Sequence, residues 1–381
     1  MRFGVYLNPQ PLGPEDDGAV IGEVLGQVDL AERLGFSSVW LTEHHFTGYN
    51  GFSDPIVLAA AISQRARALT LGFAVAVAPF HHPLVFAEQC NLLDHLSGGK
   101  LVVGFGAGNC PDEFDGFGLL KNERHAMMDE FVSVVEQAWS APPDGFSYDG
   151  AFWKGVVRGR VIPAPVQRPH PHVAWGTTTL ATVERLGRKG WSWLIAGGFD
   201  PPRLFPYLQR YLKAMDEVGL AAAAVERAWA NTASVIRAYL ADPGEDWQST
   251  IGEHIDLYVR RSMVANLGAE ALQDEATWRR TYYQNPVFAG TAEELVEKLR
   301  PYAELNVGTV MCWFNFGRLP DRLVPRSIER FARDVMPALQ EVRPAPDLFE
   351  RLRGPNLAIA ETRRAADVDA RTTAVTWGGT V

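Results

Sequence analysis

The sequence predicts an α/β fold in the form of a closed (β/α)8 TIM barrel with insertions. Three observations lead to this prediction. Eight short apolar runs that favour strands recur along the chain, segments with helical periodicity separate them, and no nucleotide-binding glycine signature follows the first run. The chain of 381 residues is long enough for one such barrel, which usually needs about 250 residues.

The predicted strands are short and bounded by turn residues. A run that is apolar almost throughout, such as 73–77, indicates burial on both faces, as in parallel strands covered by helices. The eight predicted strands are 3–7, 38–42, 69–77, 101–106, 172–175, 191–196, 229–238 and 308–314.

The predicted helices lie between these strands, which implies right-handed parallel crossovers. Asp54 precedes Pro55 as an N-cap residue before a proline at the first helical position, and Thr291 with Glu294 forms a capping box. The helical segments are 20–34, 55–67, 83–95, 124–139, 180–189, 202–218, 291–303 and 321–339.

An open, doubly wound sheet is the alternative α/β arrangement. Such a sheet usually carries Gly-x-Gly-x-x-Gly directly after its first strand. Here the first strand ends in Leu7-Asn8-Pro9-Gln10-Pro11, and prolines cannot cradle a pyrophosphate with backbone amides. The closed barrel is therefore the favoured prediction.

Two segments interrupt the alternation of strands and helices. Residues 141–171 contain a predicted hairpin followed by a stretch rich in proline, and residues 243–290 are longer than the connection between strands seven and eight needs. A long insertion of this kind is a candidate lid. The sequence thus predicts one barrel domain over 1–340 and a peripheral C-terminal tail over 341–381.

Composition limits the partners and the compartment. A formal net charge of −9 argues against a general nucleic-acid binder. The longest apolar runs fall short of the roughly 20 residues that a membrane helix needs, and the first residues have no signal-peptide pattern. Cys90, Cys110 and Cys312 are too scattered for a disulfide framework or a zinc knuckle. We expect a cytoplasmic protein without membrane or nucleic-acid partners.

Candidate reactive groups lie where the predicted strands end, because barrel enzymes place their chemistry at the C-terminal ends of the strands. The second strand is followed by Glu43, His44 and His45. Adjacent side chains on an extended backbone point to opposite sides, so at most one of these imidazoles faces the barrel mouth. An imidazole there could move protons near neutral pH, whereas a structural histidine is the alternative.

A metal site is a less favoured interpretation of the histidines. His81 and His82 follow the third strand, and imidazole and carboxylate are the usual zinc ligands. Metal-dependent barrel hydrolases generally need His-x-His on the first strand, which here has no ligand. The sequence therefore assigns no metal ligands.

Two further strand ends could hold a flat, anionic ligand. Gly106 ends the fourth strand in a run of alternating glycines, which either admits a ligand to the backbone or packs closely at the rim. Gly176, Thr177 and Thr178 follow the fifth strand, where amides, hydroxyls and a helix dipole favour an anion, with ordinary N-capping as the alternative. Arg124, at the start of the preceding helix, could supply positive charge.

Several motifs in one order make the chain resemble the bacterial luciferase-like flavin monooxygenases, including the luciferase catalytic subunit. The resemblance runs from residue 1 to about residue 340. Its most specific segments are Leu34-Gly35-Phe36, 39–46, 91–100, Asn122-Glu123-Arg124, Asn285-Pro286-Val287, 290–294 and 334–337.

The resemblance implies an FMNH2- and O2-dependent monooxygenase that acts on a small organic substrate through a C4a-peroxyflavin. In this family a separate flavin reductase usually supplies the reduced FMN. The resemblance also implies a homodimer packed through the second and third helices, with Glu88, His45 and His81 at positions that the family uses at the subunit interface.

The same resemblance implies roles for individual residues. His44 corresponds to the catalytic histidine, and Glu113 matches an acidic position that could touch flavin or substrate. The family has a non-proline cis peptide beside the flavin ring, at the position of Ala74 and Val75. The implied cofactor-binding residues are Ala74, Val75, Gly106, Arg124, Gly176, Thr177 and Thr178.

The sequence also departs from the luciferase subunit. Gly106 and Ala107 replace a reactive cysteine and an arginine, so Arg124 must carry more of the phosphate charge. The segment 270–283 is unlike the luciferase lid, and we do not expect light emission. An F420 (deazaflavin)-dependent hydride-transfer oxidoreductase and a non-catalytic flavin-binding protein remain the alternatives, and the substrate is not identified. Aromatic residues that could line its pocket, or simply fill the core, are Phe46, Phe52, Phe80, Phe114, Trp193 and Phe314.

Overall fold

Eight parallel strands close into a barrel, which confirms the predicted (β/α)8 fold. The computed structural model describes residues 1–195, 201–278 and 287–357. Each strand pairs in parallel with the next, and the eighth pairs with the first. The strands are β1 (Arg2–Leu7), β2 (Ser38–Leu41), β3 (Thr70–Phe73), β4 (Leu101–Gly106), β5 (His172–Thr177), β6 (Ser192–Ile195), β7 (Ala233–Leu240) and β8 (Thr309–Trp313).

One main helix follows each barrel strand and covers the outside of the sheet. Asp54 accepts hydrogen bonds from the first turn of the second helix, and the capping box of Thr291 and Glu294 is formed, as predicted. The helices are α1 (Asp17–Arg33), α2 (Pro55–Arg65), α3 (Pro83–Leu96), α4 (Arg124–Ser140), α5 (Leu180–Lys189), α6 (Pro201–Glu217), α7 (Ala292–Glu304) and α8 (Leu323–Arg330), the last continuing through Phe331–Val335 and Met336–Gln340.

Shorter or additional elements lie between the barrel units. The α-helices among them are Pro111–Gly116, Ala222–Ala230, Trp247–Leu267 and Leu348–Arg353. Single 3-10 turns occur at Pro14–Asp16, Ala78–Phe80, Lys121–Glu123, Ala269–Gln273 and Phe316–Arg318.

The inside of the barrel is a packed apolar core of its own. Its largest side chain, Trp40, fits because Gly72 on the neighbouring strand has no Cβ, which would otherwise collide with the indole. The Trp40 indole nitrogen donates to Ser38 Oγ at 2.9 Å, so the buried polar group is satisfied. The buried residues of this inner core are Trp40, Val102, Ala174, Leu194, Ala233 and Met311.

The predicted third strand, 69–77, is interrupted in the structure. β3 ends at Phe73, and a short strand, Ala76–Val77, then pairs with Phe105 and Gly106 at the top of β4. The peptide bond between Ala74 and Val75 is cis, as the family resemblance implies. After the interruption the chain continues beside β4, with its pairing shifted by one residue.

The strand predicted at 229–238 begins later than expected. Trp229 belongs to the helix Ala222–Ala230, and β7 starts at Ala233. Large aromatic residues favour strands, but the Trp229 indole is buried beneath the barrel and donates to the Asn306 carbonyl at 2.8 Å. Tertiary packing decides the conformation of this residue. The predicted end of strand six, Ala196, lies outside the described residues.

The segment 243–290 carries regular structure. It contains the long helix Trp247–Leu267 and an unpredicted parallel strand, Val287–Gly290, which pairs with the second half of β7. Residues 279–286, including part of the predicted lid and Asn285-Pro286, lie outside the described residues. In the other insertion, the predicted hairpin is confirmed as Gly145–Asp149 paired with Lys154–Arg158.

The start of the predicted C-terminal tail packs against the barrel. Leu348 and Leu352 of the helix Leu348–Arg353 are buried, and Arg353 pairs with Asp216 of α6 at 2.7 Å. The remainder, 358–381, lies outside the described residues. Among the helices that the structure describes, none is long and apolar enough to cross a membrane.

Candidate active site

His44 stands at the C-terminal end of β2, on the rim of the barrel mouth. Its Nδ1 lies 2.9 Å from Oε1 of Glu113, which belongs to the helix Pro111–Gly116 after β4. The same oxygen accepts a hydrogen bond from the backbone N–H of His45 at 3.0 Å. The Glu113 side chain is 1% exposed and that of His44 is 27% exposed. A buried carboxylate thus holds an imidazole that can still meet a ligand.

The contact with Glu113 determines which nitrogen of neutral His44 is free for proton transfer. Because a carboxylate accepts hydrogen bonds, Nδ1 carries the proton and Nε2 keeps its lone pair. Tyr49 packs edge-on against the imidazole, with 4.7 Å between the ring centroids. Orientation by Glu113 and Tyr49 leaves Nε2 as the atom that can accept a proton.

His45 turns away from His44, as the alternation of side chains predicts. Its Nε2 lies 3.0 Å from Oε1 of Glu43, while Nε2 of His81 lies 2.9 Å from the other carboxylate oxygen. The backbone N–H of Val77 also donates to Glu43. Both carboxylate oxygens of Glu43 therefore have hydrogen-bond partners. Among the described residues, no group of three or more His, Cys, Asp or Glu side chains could hold a metal ion.

Two opposing effects act on the Glu43 and His81 pair. Burial alone would raise the pKa of Glu43 and lower the pKa of His81. Their mutual attraction and hydrogen bonding outweigh burial, so the pKa of Glu43 is lowered and that of His81 is raised. Each group therefore favours the charged form of the other.

Val75 forms a small platform at the mouth with two glycines. A Cβ on Gly106 would collide with Cγ2 of Val75, and a Cβ on Gly176 would lie 2.8 Å from its Cγ1. Close packing against Val75 therefore requires glycine at both positions. For Gly106 this agrees with the second interpretation of the sequence, in which the glycine packs closely at the rim. Val75 and Ala74 remain partly exposed, so the platform offers a flat apolar surface to the mouth.

The predicted anion site has its parts at one edge of the mouth. Arg124 is the first residue of α4, and Thr177 and Thr178 lead into α5. Arg185 of α5 pairs with Asp129 of α4 at 2.6 Å. Because each residue lies at about the same distance from the start of its helix, the N-termini of α4 and α5 lie side by side. Both positive dipole ends and Arg124 therefore meet at this edge.

Two details favour an anion at these helix starts over ordinary capping. Thr179 is the N-cap residue of α5, but within the described chain its side chain makes no capping hydrogen bond. Burial, followed by the positive charge of Arg124, lowers the pKa of both Lys121 and His125. Arg124 thus brings positive charge to this edge, which favours an anion.

Sequence reasoning missed one half of the mouth. Tyr6 of β1, Arg237 of β7 and Trp313 of β8 pack together there, with Tyr258 of the helix Trp247–Leu267 behind them, and all but Tyr6 are buried. Arg237 was the available signal, because a charged residue in the otherwise apolar strand Ala233–Leu240 needs an explanation. Arg237 is 6% exposed.

The aromatic residues suggested for the pocket have different locations. Phe114, Trp193 and Phe314 are buried in the core, which agrees with the alternative interpretation that these residues only fill the core. Phe46, in contrast, is 69% exposed. Cys110 is a buried thiol, and burial raises its pKa to about 11, which makes it a poor nucleophile.

The site at the top of the closed (β/α)8 barrel combines an imidazole held by a buried carboxylate, a platform packed against two glycines, and a cationic rim. This combination is typical of cofactor-dependent barrel enzymes. The chain belongs to the family of luciferase-like monooxygenases, whose sequence model matches residues 1–309. Proteins that match the chain over nearly their whole length are named as monooxygenases.

Individual relatives agree with this family. The 4-hydroxyprotoasukamycin monooxygenase of Streptomyces nodosus subsp. asukaensis is 32% identical over 138 residues, 36% of this chain and 37% of that protein. The alignments with the first two curated relatives thus span little more than a third of those proteins. The oxygenase component of a flavin-dependent trigonelline monooxygenase from Acinetobacter baylyi is 21% identical, covering 90% of this chain and 96% of that protein.

Solved structures show the same fold. Monooxygenase RslO1 from Streptomyces bottropensis is 28% identical with a TM-score of 0.74, covering 88% of this chain and 99% of that one. An F420-dependent secondary alcohol dehydrogenase, 17% identical with a TM-score of 0.69, covers 89% of this chain and 98% of that one. The fold alone therefore does not separate FMN from F420.

Proposed function

We propose that this protein is the oxygenase component of a two-component monooxygenase, which uses reduced FMN and O2 to oxygenate a small organic substrate. One observation carries the proposal: His44, oriented by Glu113, lies on the same barrel rim as the Val75 platform and the helix N-termini near Arg124. Proton transfer, ring binding and phosphate binding are thereby provided on one face.

The residues of the mouth fit a flavin. The platform of Val75 over Gly106 and Gly176 would support the flat ring, and Arg124 with Thr177 and Thr178 would hold the phosphate.

The protein's own part in the reaction is proton management and water exclusion. When bound, reduced flavin supplies the electrons that activate O2. Nε2 of His44 takes a proton from the reacting group and returns it, while Glu113 stabilises the imidazolium formed in between. The apolar inner core closes the floor of the site against water.

The proposed partners are a separate flavin reductase and a second copy of the chain. A relative that aligns over nearly its full length is named as an oxygenase component, which supports a separate reductase. On α2 and α3, Val57, Val85, Leu92 and Leu96 are exposed apolar residues, which supports a homodimer packed through these helices. Analytical ultracentrifugation would measure the mass of the assembly.

Anaerobic titration tests the proposed function. Purified protein is titrated under nitrogen with reduced FMN and, separately, with reduced F420, and the complex is then mixed with O2. We expect saturable binding of reduced FMN and O2-dependent oxidation of the bound flavin. Binding of F420 alone would instead support the hydride-transfer alternative, and flavin binding without any O2-dependent product would support a non-catalytic flavin-binding protein.

A further inference from the structure

One helix bonds to loops on opposite sides of the barrel mouth. The helix Trp247–Leu267 belongs to the insertion between β7 and β8. Nδ1 of His254 donates to the Gly317 carbonyl at 2.9 Å, in the turn after β8. In the loop after β4, Nδ2 of Asn109 donates to Oδ1 of Asn266 at 3.3 Å. At about 1.5 Å per residue, these two contacts lie about 18 Å apart along the helix. The helix therefore links β4 and β8, which stand opposite each other in the ring.

Arg261 lies between these contacts and joins two further loops with one guanidinium. Nη1 donates to the Thr47 carbonyl at 3.0 Å, in the loop after β2, and Nη2 donates to the Pro11 carbonyl at 3.2 Å, in the loop after β1. Gly48 leaves room for the guanidinium, because a Cβ there would collide with Nη1. Both hydrogen bonds go to backbone oxygens, and no carboxylate of the described chain pairs with Arg261. The positive charge of Arg261 therefore serves to hold loop backbone.

The loop that Arg261 holds contains a strained turn directly after His44. The backbone N–H of Thr47 donates to the His45 carbonyl at 2.7 Å, which closes a three-residue turn with Phe46 at its centre. Phe46 has a φ of 64°, a conformation that bulky residues rarely adopt and that persists only where surrounding contacts hold it. The Phe46 side chain is 69% exposed, so burial of its ring provides little of that support. The bond from Arg261 fixes the far end of the turn.

The orientation of His44 depends on both sides of this turn. Before the turn, Glu113 bonds to Nδ1 of His44 and to the backbone N–H of His45. After the turn, Tyr49 packs edge-on against the His44 ring. A change in the turn would move Tyr49 and the His45 backbone relative to each other, and the imidazole lies between them.

We propose that Arg261 is a positioning residue for His44, and that it couples the insertion between β7 and β8 to the proton-transfer group. Its guanidinium holds the turn after His44, and the turn keeps the imidazole between Glu113 and Tyr49. This role rests on the proposed function, because the aim of the imidazole matters only if His44 transfers a proton. A displacement of about 1 Å can lower turnover about 10²-fold.

NMR of the imidazole nitrogens tests this role without flavin or substrate. The protein has nine histidines, and in 15N-histidine-labelled protein His44→Gln identifies the ring signals of His44. At a pH where the imidazole is neutral, we expect one tautomer in the wild type, with the proton on Nδ1. Arg261→Met keeps a long side chain without donors, so both tautomers should become populated and the two ring signals should move towards each other. Unchanged His44 signals in folded Arg261→Met would overturn the inference.

Two further variants separate positioning from a general loss of stability. Arg260→Met is the matched control, since Arg260 is exposed on the same helix and pairs with Asp256 at 2.6 Å, and it should leave the His44 signals unchanged. Arg261→Lys keeps the charge but has a single nitrogen in place of the fork, so its effect should be smaller than that of Arg261→Met. If Arg261→Met fails to fold, Arg261→Lys is measured in its place, and His44 signals identical to those of the wild type would overturn the inference.

Turnover of an accepted substrate gives a second readout. Arg261→Met should lower kcat about 10- to 100-fold and leave KM and the affinity for reduced FMN within about twofold, because the platform and the phosphate edge are untouched. In the His44→Ala background it should lower kcat no further, since no imidazole remains to be aimed. Equal losses in the two backgrounds would show that Arg261 acts elsewhere, and would overturn the inference.

The two readouts separate this inference from the proposed function. Flavin binding and turnover, together with unchanged His44 signals in Arg261→Met, would overturn the inference and leave the proposed function standing. Absence of flavin binding, together with His44 signals that change in Arg261→Met, would overturn the proposed function and support the coupling of Arg261 to His44.

Discussion

Nδ1 of His44 and Oε1 of Glu113 lie 2.9 Å apart, although 69 positions separate the two residues in the chain. Glu113 also accepts the backbone N–H of His45, so one buried oxygen determines both the direction of the imidazole and the path of its backbone. Glu113 thereby acts as a positioning residue for His44 and does not itself need to touch the flavin.

The first prediction concerns Glu113. Glu113→Gln removes the negative charge that stabilises an imidazolium, and its amide NH2 can donate to Nδ1, which favours the tautomer with the His44 proton on Nε2. We expect turnover of an accepted substrate to fall about 10²-fold, with KM and flavin affinity nearly unchanged. Asp115→Asn on the same short helix is the matched control, because Asp115 is exposed. Equal turnover in the two variants would show that Glu113 has no positioning role.

The second prediction concerns His44 itself. His44→Ala removes the only group that we assign to proton transfer, so turnover should fall about 10²-fold or more. Affinity for reduced flavin should stay close to that of the wild type, because the platform and the phosphate edge are untouched. Steady-state turnover and anaerobic titration measure the two quantities. Wild-type turnover in this variant would refute the assignment.

The third prediction separates phosphate binding from ring binding. Arg124→Ala should weaken binding of FMN about 10- to 100-fold, the cost of one charge-assisted contact, and leave binding of riboflavin, which has no phosphate, unchanged. Arg185→Ala is the control, since Arg185 lies further along the neighbouring helix in a pair with Asp129. Equal losses for FMN and riboflavin would place Arg124 away from the phosphate.

The fourth prediction tests the platform by a double-mutant cycle. Gly106→Ala should lower the free energy of unfolding by about 1–3 kcal/mol, because its Cβ collides with Val75. Flavin affinity should fall with it. Val75→Ala removes Cγ2, the atom that would collide most severely, so the double variant should recover part of the loss in stability. Chemical denaturation measures each variant, and additive losses would show that the two residues do not interact.

The fifth prediction is a pH dependence of stability from the Glu43 and His81 pair. The pKa of His81 is raised on folding, so its contribution is complete below the usual histidine pKa of about 6.5 and is lost as pH rises through the folded value. The pKa of Glu43 is lowered, so its contribution is complete above about pH 4.3 and is lost as pH falls through the folded value.

The pair should therefore stabilise the protein most between about pH 4.3 and 6.5. The melting temperature of His81→Gln should lie furthest below that of the wild type in this window, and the difference should shrink at higher pH. His82→Gln is the control, because His82 is exposed and only caps the start of α3. A difference that grows above neutral pH would contradict the assignment.

Local sequence determined the strand and helix order, the caps at Asp54 and Thr291 and the place of His44 at a strand end. These features follow from periodicity and from contacts between near neighbours in the chain. Together with the family resemblance, they were enough to predict the barrel.

Tertiary structure alone decided what surrounds those residues. Closure of the barrel brings Glu113 to His44, seats Val75 between strands four and five, and places Arg237 beside Trp313. No local pattern encodes these pairings, because they depend on strand register and on loops that meet only after the ring has closed. The packing of Arg237 against Trp313 was missed for the same reason, although a charged residue in an apolar strand was a local signal.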